Sequence, residues 1–264
     1  MLNNFEYKKS LGQNFINDDN IINKMVDSID IDKDTLVIEI GPGAGVLSKK
    51  IIPLSGYSIL YEIDSRLEDV LDDTLSKNDN YKIIFNDFLN EDVYSELMNY
   101  DFKKVYVISN LPYYITTPII YKLAGITRIE KILIMIQKEV ADRLISSVSN
   151  RNYGYITAYL DYFYDIRKVF DVSRNCFTPR PNVDSSVIML SRKDRKVYVK
   201  DINYLDKFLK DSFKFKRKNL KNNLKGYDLR VINDILSKYG FSLSSRAEDI
   251  SIDIFVEIVN ELVS

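Results

Sequence analysis

Histidine is absent from this chain, and cysteine occurs once, as Cys176. The first absence removes Ser-His-Asp, Cys-His and every histidine general-base mechanism. The second removes disulfide pairing and a thiolate zinc site within the chain. No stretch approaches the roughly 18 consecutive apolar residues of a membrane span. The polar start, Met1–Lys9, lacks the apolar centre of a secretory signal. The expectation is a cytoplasmic protein without a membrane partner, whose chemistry rests on carboxylates, hard metals or positioning.

Charge nearly balances, at a net −1, but it is unevenly spread. From Ser191 to Gly226 there are thirteen Lys/Arg against four Asp, which leaves the remainder acidic. Such asymmetry reads as a basic surface for a polyanion attached to an acidic body.

Short buried-strand patterns alternate with helical ones through the first two-thirds. Leu36–Ile40, Ser58–Ile63, Tyr81–Phe85, Val105–Ile108, Ile132–Ile136 and Ser186–Leu190 read as strands. Val46–Leu54 and Leu67–Leu75 read as helices. That alternation predicts a mostly parallel α/β sheet. After Arg192 the pattern turns helical, which predicts two domains, 1–192 and 193–264.

Val37–Leu47 reads as a strand, a turn containing Gly41, Gly43 and Gly45, and a helix start. Glycines there let a ligand lie against main-chain amides. Glu62 follows at the end of the next strand, where a carboxylate accepts the hydroxyls of a ribose. NAD or S-adenosylmethionine would fit. The spacing departs from G-x-G-x-x-G, and Glu39 just before the turn is typical of methyltransferases. Asp87, ending the third strand, is a candidate acceptor for a cofactor adenine amine.

The fourth strand runs into Asn110-Leu111-Pro112-Tyr113. Adenine's exocyclic amine is a poor nucleophile because its lone pair is delocalised into the ring. The Asn110 side chain and the Leu111 carbonyl can accept its hydrogens and favour a pyramidal nitrogen. Pro112 stiffens the loop, and Tyr113 offers a face for a stacked base. Such a transfer works by positioning, so it needs neither histidine nor metal.

Four segments together carry a family resemblance. They are Lys8–Phe15, Asn110–Pro118, Gln137–Ala141 and Phe177–Ser185. In that order they resemble the KsgA/RsmA-type ribosomal RNA adenine dimethyltransferases along nearly the whole chain. The resemblance implies an α/β, Rossmann-like class I S-adenosylmethionine-dependent methyltransferase domain with a small all-helical C-terminal domain. It also implies N6-dimethylation of two adjacent adenosines near the 3′ end of small-subunit rRNA in an immature ribosomal subunit. Cofactor contacts carry over to Asn14, Ile16, Gly41, Glu62, Asp87 and Asn110, and a base-sandwiching aromatic to Phe177. Tyr114, where many members have asparagine, and Thr116, for a frequent serine, depart from the pattern.

Between Phe213 and Lys225 helical spacing places Lys214, Lys218, Lys221 and Lys225 on one face, and Phe213, Leu220 and Leu224 on another. These lysines are the expected RNA phosphate contacts. Cys176 reads as a loop residue, and the doublets Asp18-Asp19 and Asp72-Asp73 as helix-end or solvated charges, so no metal site is expected. The absence of a coiled-coil repeat suggests a monomer. An Erm-type large-subunit rRNA methyltransferase, a ribosome-assembly or transcription factor on the same fold, and a nicotinamide oxidoreductase are the alternatives.

Overall fold

A computed structural model describes residues 14–16 and 18–264; positions 8–13 of the N-terminal signature lie outside the described residues. Its strands are β1 (Phe15–Ile16), β2 (Thr35–Ile40), β3 (Tyr57–Glu62), β4 (Tyr81–Phe85), β5 (Lys104–Asn110), β6 (Ile129–Gln137), β7 (Tyr164–Val172), β8 (Phe177–Thr178) and β9 (Ser185–Arg192). The α-helices are α1 (Asp19–Val26), α2 (Ser48–Ile51), α3 (Glu68–Leu75), α4 (Val93–Leu97), α5 (Thr116–Ala124), α6 (Lys138–Leu144), α7 (Tyr155–Phe163), α8 (Ile202–Ser212), α9 (Leu220–Asn223), α10 (Leu229–Lys238) and α11 (Ile252–Leu262).

The main sheet has the order β4-β3-β2-β5-β6-β9-β7. Pairings among β4, β3, β2, β5 and β6 are parallel, and β9 runs antiparallel to β6. Strand β2 lies between β3 and β5 and is buried at every position, as expected of a strand covered on both faces. All six strands read from the sequence are present. The unread one is β7, last in the sheet order. Its sequence Tyr-Asp-Ile-Arg-Lys-Val-Phe-Asp-Val buries only Tyr164, Phe170 and Val172 fully, so its charged positions hide the apolar run expected of a central strand.

One face of the sheet packs against α1 and α2. There Ile22, Met25 and Val26 meet Val37, Leu47, Ile51, Tyr106 and Ile108 in one cluster. Asp18 starts α1 by accepting from Asn20 N, a cap satisfying an otherwise orphaned donor. Leu71 and Leu75 of α3 pack with Ile52 and Leu60 in a second cluster.

The chain forms two compact units. The first comprises the described residues up to Ala141 together with Ile166–Arg192; the second comprises Asp142–Asp165 and Lys193–Ser264. The second therefore starts earlier than a single cut at 192/193, because α7 packs on α8 and α11. Its core joins Phe208, Phe213 and Phe255, with Phe208 and Phe213 each 6.1 Å from Phe255 between ring centroids.

The helix expected across Phe213–Lys225 does not form. Helix α8 ends at Ser212, residues 213–218 are turn and bend, and α9 is a single turn. Asn219 restarts the helix by accepting from Asn222 N, and it competes for backbone donors as asparagine does at helix starts. The division into faces survives the break: Leu220 and Leu224 are buried, while Lys214, Lys218, Lys221 and Lys225 are exposed.

Candidate active site

The carboxyl ends of β2, β3 and β5 lie side by side because these strands run parallel. Ligands bind at that edge in open α/β sheets. Ser109 Oγ donates to Ile40 O there, tying β5 to the start of the glycine turn. Gly41 N donates to Tyr61 O at 2.8 Å, so the turn leans on β3 as well.

The glycines differ in what they do. All three have positive φ, at 70°, 60° and 76° for Gly41, Gly43 and Gly45. A Cβ on Gly43 would stand 2.6 Å from Phe15 Cε1, closer than a carbon contact allows, so only glycine fits against that ring. Gly45 instead faces α3, where a Cβ would meet Leu71 and Thr74 at 3.2 Å. Gly45 is therefore a packing position and does not line the cavity.

That cavity has an empty volume of about 780 Å³, its open mouth included. Asn14, Phe15 and Ile16 line it with Gly41, Gly43, Glu62, Asn110, Leu111, Pro112 and Tyr113. Two buried carboxylates stand in its wall. Glu62, only 4% exposed, accepts from Gly43 N at 3.0 Å through Oε2 and from Asp64 N at 2.9 Å through Oε1. Burial raises its pKa against the pull of those amides. The two bonds fix the carboxylate plane and leave each oxygen a further lone pair for a ligand hydroxyl. Glu39, buried beneath the turn, accepts from Ser48 Oγ at 2.6 Å. Burial pushes its carboxyl up to about 8, opposed by the Ser48 hydroxyl and helped by the Glu62 charge.

Asn110 ends β5 with its amide Nδ2 donating to Asn14 O at 3.2 Å. Because a carbonyl only accepts, this contact assigns the amide's orientation and turns Oδ1 away as an acceptor. Leu111 N donates to Met135 O at 3.1 Å, fixing the peptide between Asn110 and Leu111. The Tyr113 hydroxyl lies 2.6 Å from Ser185 Oγ, and Ser185 is fully buried at the start of β9. Burial raises the Tyr113 pKa, so the phenol stays neutral and the ring is held from its far end.

Asp87, Phe177 and Cys176 are not among the residues that line the cavity. Asp87 caps the turn after β4, accepting from Leu89 N at 2.9 Å, and is outside the cavity lining. Phe177 is 3% exposed and belongs to the core around α1. Strand β8 pairs Phe177 with Ile16, and the Phe177 ring packs in that core. Cys176 sits beside Asp18 at 3.7 Å, and burial pushes its thiol up, away from the thiolate a nucleophile needs. Conversely, Phe15, Ser109 and Ser185 support the site although composition gave them no role. Phe15 and Ser185 belong to the family-like segments Lys8–Phe15 and Phe177–Ser185; Ser109 carries no separate signal.

The sequence matches the family described as "Ribosomal RNA adenine dimethylase" over residues 4–264. The chain belongs to that family. Its curated relatives include ribosomal RNA small subunit methyltransferase A of Bacillus cereus (strain B4264), 38% identical over 98% of this chain and 92% of the relative. The protein of that name from Bacillus anthracis (strain CDC 684 / NRRL 3495) is likewise 38% identical over the same shares. Among solved structures, a dimethyladenosine transferase from Plasmodium falciparum superposes with a TM-score of 0.80 at 23% identity, covering 94% of this chain and 96% of that one. The 23S rRNA methyltransferase ErmE superposes at 0.71 and 22% identity, covering 95% and 100%. These likenesses establish the class I methyltransferase fold, and membership of the family makes the chain an rRNA adenine methyltransferase.

Proposed function

We propose that the protein dimethylates N6 of two adjacent adenosines near the 3′ end of small-subunit rRNA, acting on an immature subunit, with S-adenosylmethionine as methyl donor. The observation that carries the reading is Asn110, which lines the cavity with its side-chain amide donating to Asn14 O. The relatives at 38% identity are named for the small subunit, which favours that substrate over large-subunit RNA.

The pocket fits the cofactor on its own chemistry. Gly43 leaves a cradle that a Cβ would fill, and Glu62 presents an oriented carboxylate for two ribose hydroxyls. Asn14, Ile16 and Gly41 complete the wall that would hold it. When bound, S-adenosylmethionine supplies an electrophilic methyl group on a sulfonium sulfur.

The chain's own work is to prepare the nucleophile. Asn110 Oδ1 and the Leu111 carbonyl accept hydrogens from the adenine amine and bias its nitrogen towards a pyramidal shape. Pro112 limits the loop's freedom. Tyr113 stacks on the base, a contact worth roughly 1–3 kcal/mol, comparable to the cost of extracting it from its own stack. Holding both reactants in line supplies roughly 7–11 kcal/mol of barrier reduction. Lys214, Lys218, Lys221 and Lys225 of the second unit contact RNA phosphates, adding position without sequence reading.

No helix among the described residues is long and apolar enough to cross a membrane, and a cytoplasmic monomer fits this substrate. Incubation with labelled S-adenosylmethionine tests the reading: small-subunit rRNA lacking the modification should take up label and large-subunit rRNA should not. Label confined to large-subunit rRNA would overturn the substrate, and saturable binding of NAD in place of S-adenosylmethionine would overturn the reaction.

A further inference from the structure

The connection between α8 and α9 joins two features that the cavity does not use. Six Lys/Arg and no carboxylate lie between Ser212 and Tyr227. Lys214, Lys216, Arg217 and Lys218 are exposed, and no acidic side chain pairs with them among the described residues. In their midst Phe215 is 57% exposed. Lys214 Nζ lies 5.7 Å from its ring centroid, at the outer reach of a cation–π contact.

The loop is held in this form by the chain. Phe215 O accepts from Lys218 N at 2.8 Å and from Asn223 Nδ2 at 3.4 Å. Asn223 Nδ2 also donates to Ser212 O at 2.7 Å. Lys216 Nζ donates to Arg151 O, which brings exposed Arg151 into the same surface. Phe213, two residues back, points inward against Tyr153 and Phe255. Phe215 is therefore turned outward by an ordered backbone, although burying such a ring would gain roughly 1.5–3 kcal/mol.

Unbalanced positive charge selects a polyanion, and an exposed ring among the charges selects a partner with a flat face. An unpaired nucleotide offers both at once, a phosphate for the cations and a base for the ring. A paired base keeps its face within the duplex, and residues 213–219 interrupt the continuous amphipathic helix by which a chain lies along a membrane interface. We propose that Phe215 is a stacking platform for an unpaired RNA nucleotide, with Lys214, Lys216, Arg217 and Lys218 on the flanking phosphates. The proposal rests on the RNA-binding reading of this unit given above.

Stacking and phosphate contact separate by their salt dependence, because only the second releases counterions. The test titrates the full-length protein into a fluorescent unpaired oligoribonucleotide and a blunt RNA duplex of equal length, each over a series of salt concentrations. Phe215→Ala should weaken binding to the unpaired RNA by roughly 5- to 150-fold, leave the salt slope unchanged and leave the duplex unaffected. Phe215→Trp should bind the unpaired RNA at least as well as the parent. Replacing Lys214, Lys216, Arg217 and Lys218 by glutamine should flatten the slope on both RNAs. Unchanged affinity in Phe215→Ala, or equal loss on both RNAs, overturns the stacking role while leaving the phosphate contacts standing. A slope indifferent to the fourfold change overturns the RNA reading of the loop itself.

Discussion

Replacing Glu39 by glutamine should make the folded protein more stable, by an amount that grows with pH. Its carboxyl is pushed up to about 8 from an ordinary 4.5, chiefly by burial. Below the lower value both folded and unfolded chains hold the proton, and the group contributes nothing. Between the two values the unfolded chain is ionised while the folded one keeps its proton, so stability falls by about 1.4 kcal/mol per pH unit. Above the upper value both are ionised, and the penalty levels off at about 5 kcal/mol. Glutamine keeps an acceptor for Ser48 Oγ and removes the titration. Urea unfolding followed by circular dichroism at about pH 5, 7 and 9 measures the difference between the two proteins, in which titrating groups not coupled to Glu39 cancel. A small difference at the acid end, widening steeply towards about pH 8, is the expected result. A difference that stays flat across this range would refute the buried, proton-holding state. Because Glu39 lines the cavity and the proposed cofactor is a cation, cofactor binding should release protons in the parent and fewer in Glu39→Gln. Calorimetry in buffers of different ionisation enthalpy reads this directly.

Asn110→Ala should lower single-turnover methyl transfer by roughly 10²–10³-fold, the usual cost of one oriented partner in a transition state, with RNA affinity unchanged. Turnover within a few-fold of the parent would remove Asn110 from the chemistry. Gly43→Ala places a side chain at φ 60° and against the Phe15 ring. It should cost about 1–2 kcal/mol of stability from the backbone alone and weaken S-adenosylmethionine binding about tenfold or more, since both residues line the cavity; normal affinity by calorimetry would count against the cradle. Tyr113→Phe and Ser185→Ala each break the same hydroxyl contact. Their effects on turnover should therefore be less than additive in a double-mutant cycle, and strict additivity would show that the contact does not orient the ring.

The sheet was legible where the chain buries strands on both faces. Residues such as Val37, Ile38, Val107 and Ile108 form apolar runs that only a central strand explains. Strand β7 was not, since its alternating charges resemble an exposed loop until a neighbouring strand is placed beside it. The lysine-rich segment shows the opposite failure. Its apolar and basic positions repeat as in a helix, but Asn219 and the inward Phe213 favour a break that periodicity does not detect.

At the site, the motifs placed several residues that the fold brings to one cavity. Gly41, Gly43, Glu62, Asn110 and Tyr113 converge because parallel strands bring their carboxyl ends to one edge. Asp87 caps the turn after β4, and Phe177 pairs within a two-residue strand. The contacts that hold the site in shape join residues far apart in the chain, Asn14 with Asn110 and Tyr113 with Ser185. No local pattern encodes such pairings; they follow only once the strands are ordered.

The most direct test of the central claim is to locate the methyl groups. Small ribosomal subunits lacking the modification would be incubated with the protein and labelled S-adenosylmethionine, then their rRNA digested and mapped. N6,N6-dimethyladenosine is expected at two adjacent positions near the 3′ end, and none when Asn110→Ala replaces the parent. Label on another base, or none on subunits that a competent enzyme modifies, would contradict it.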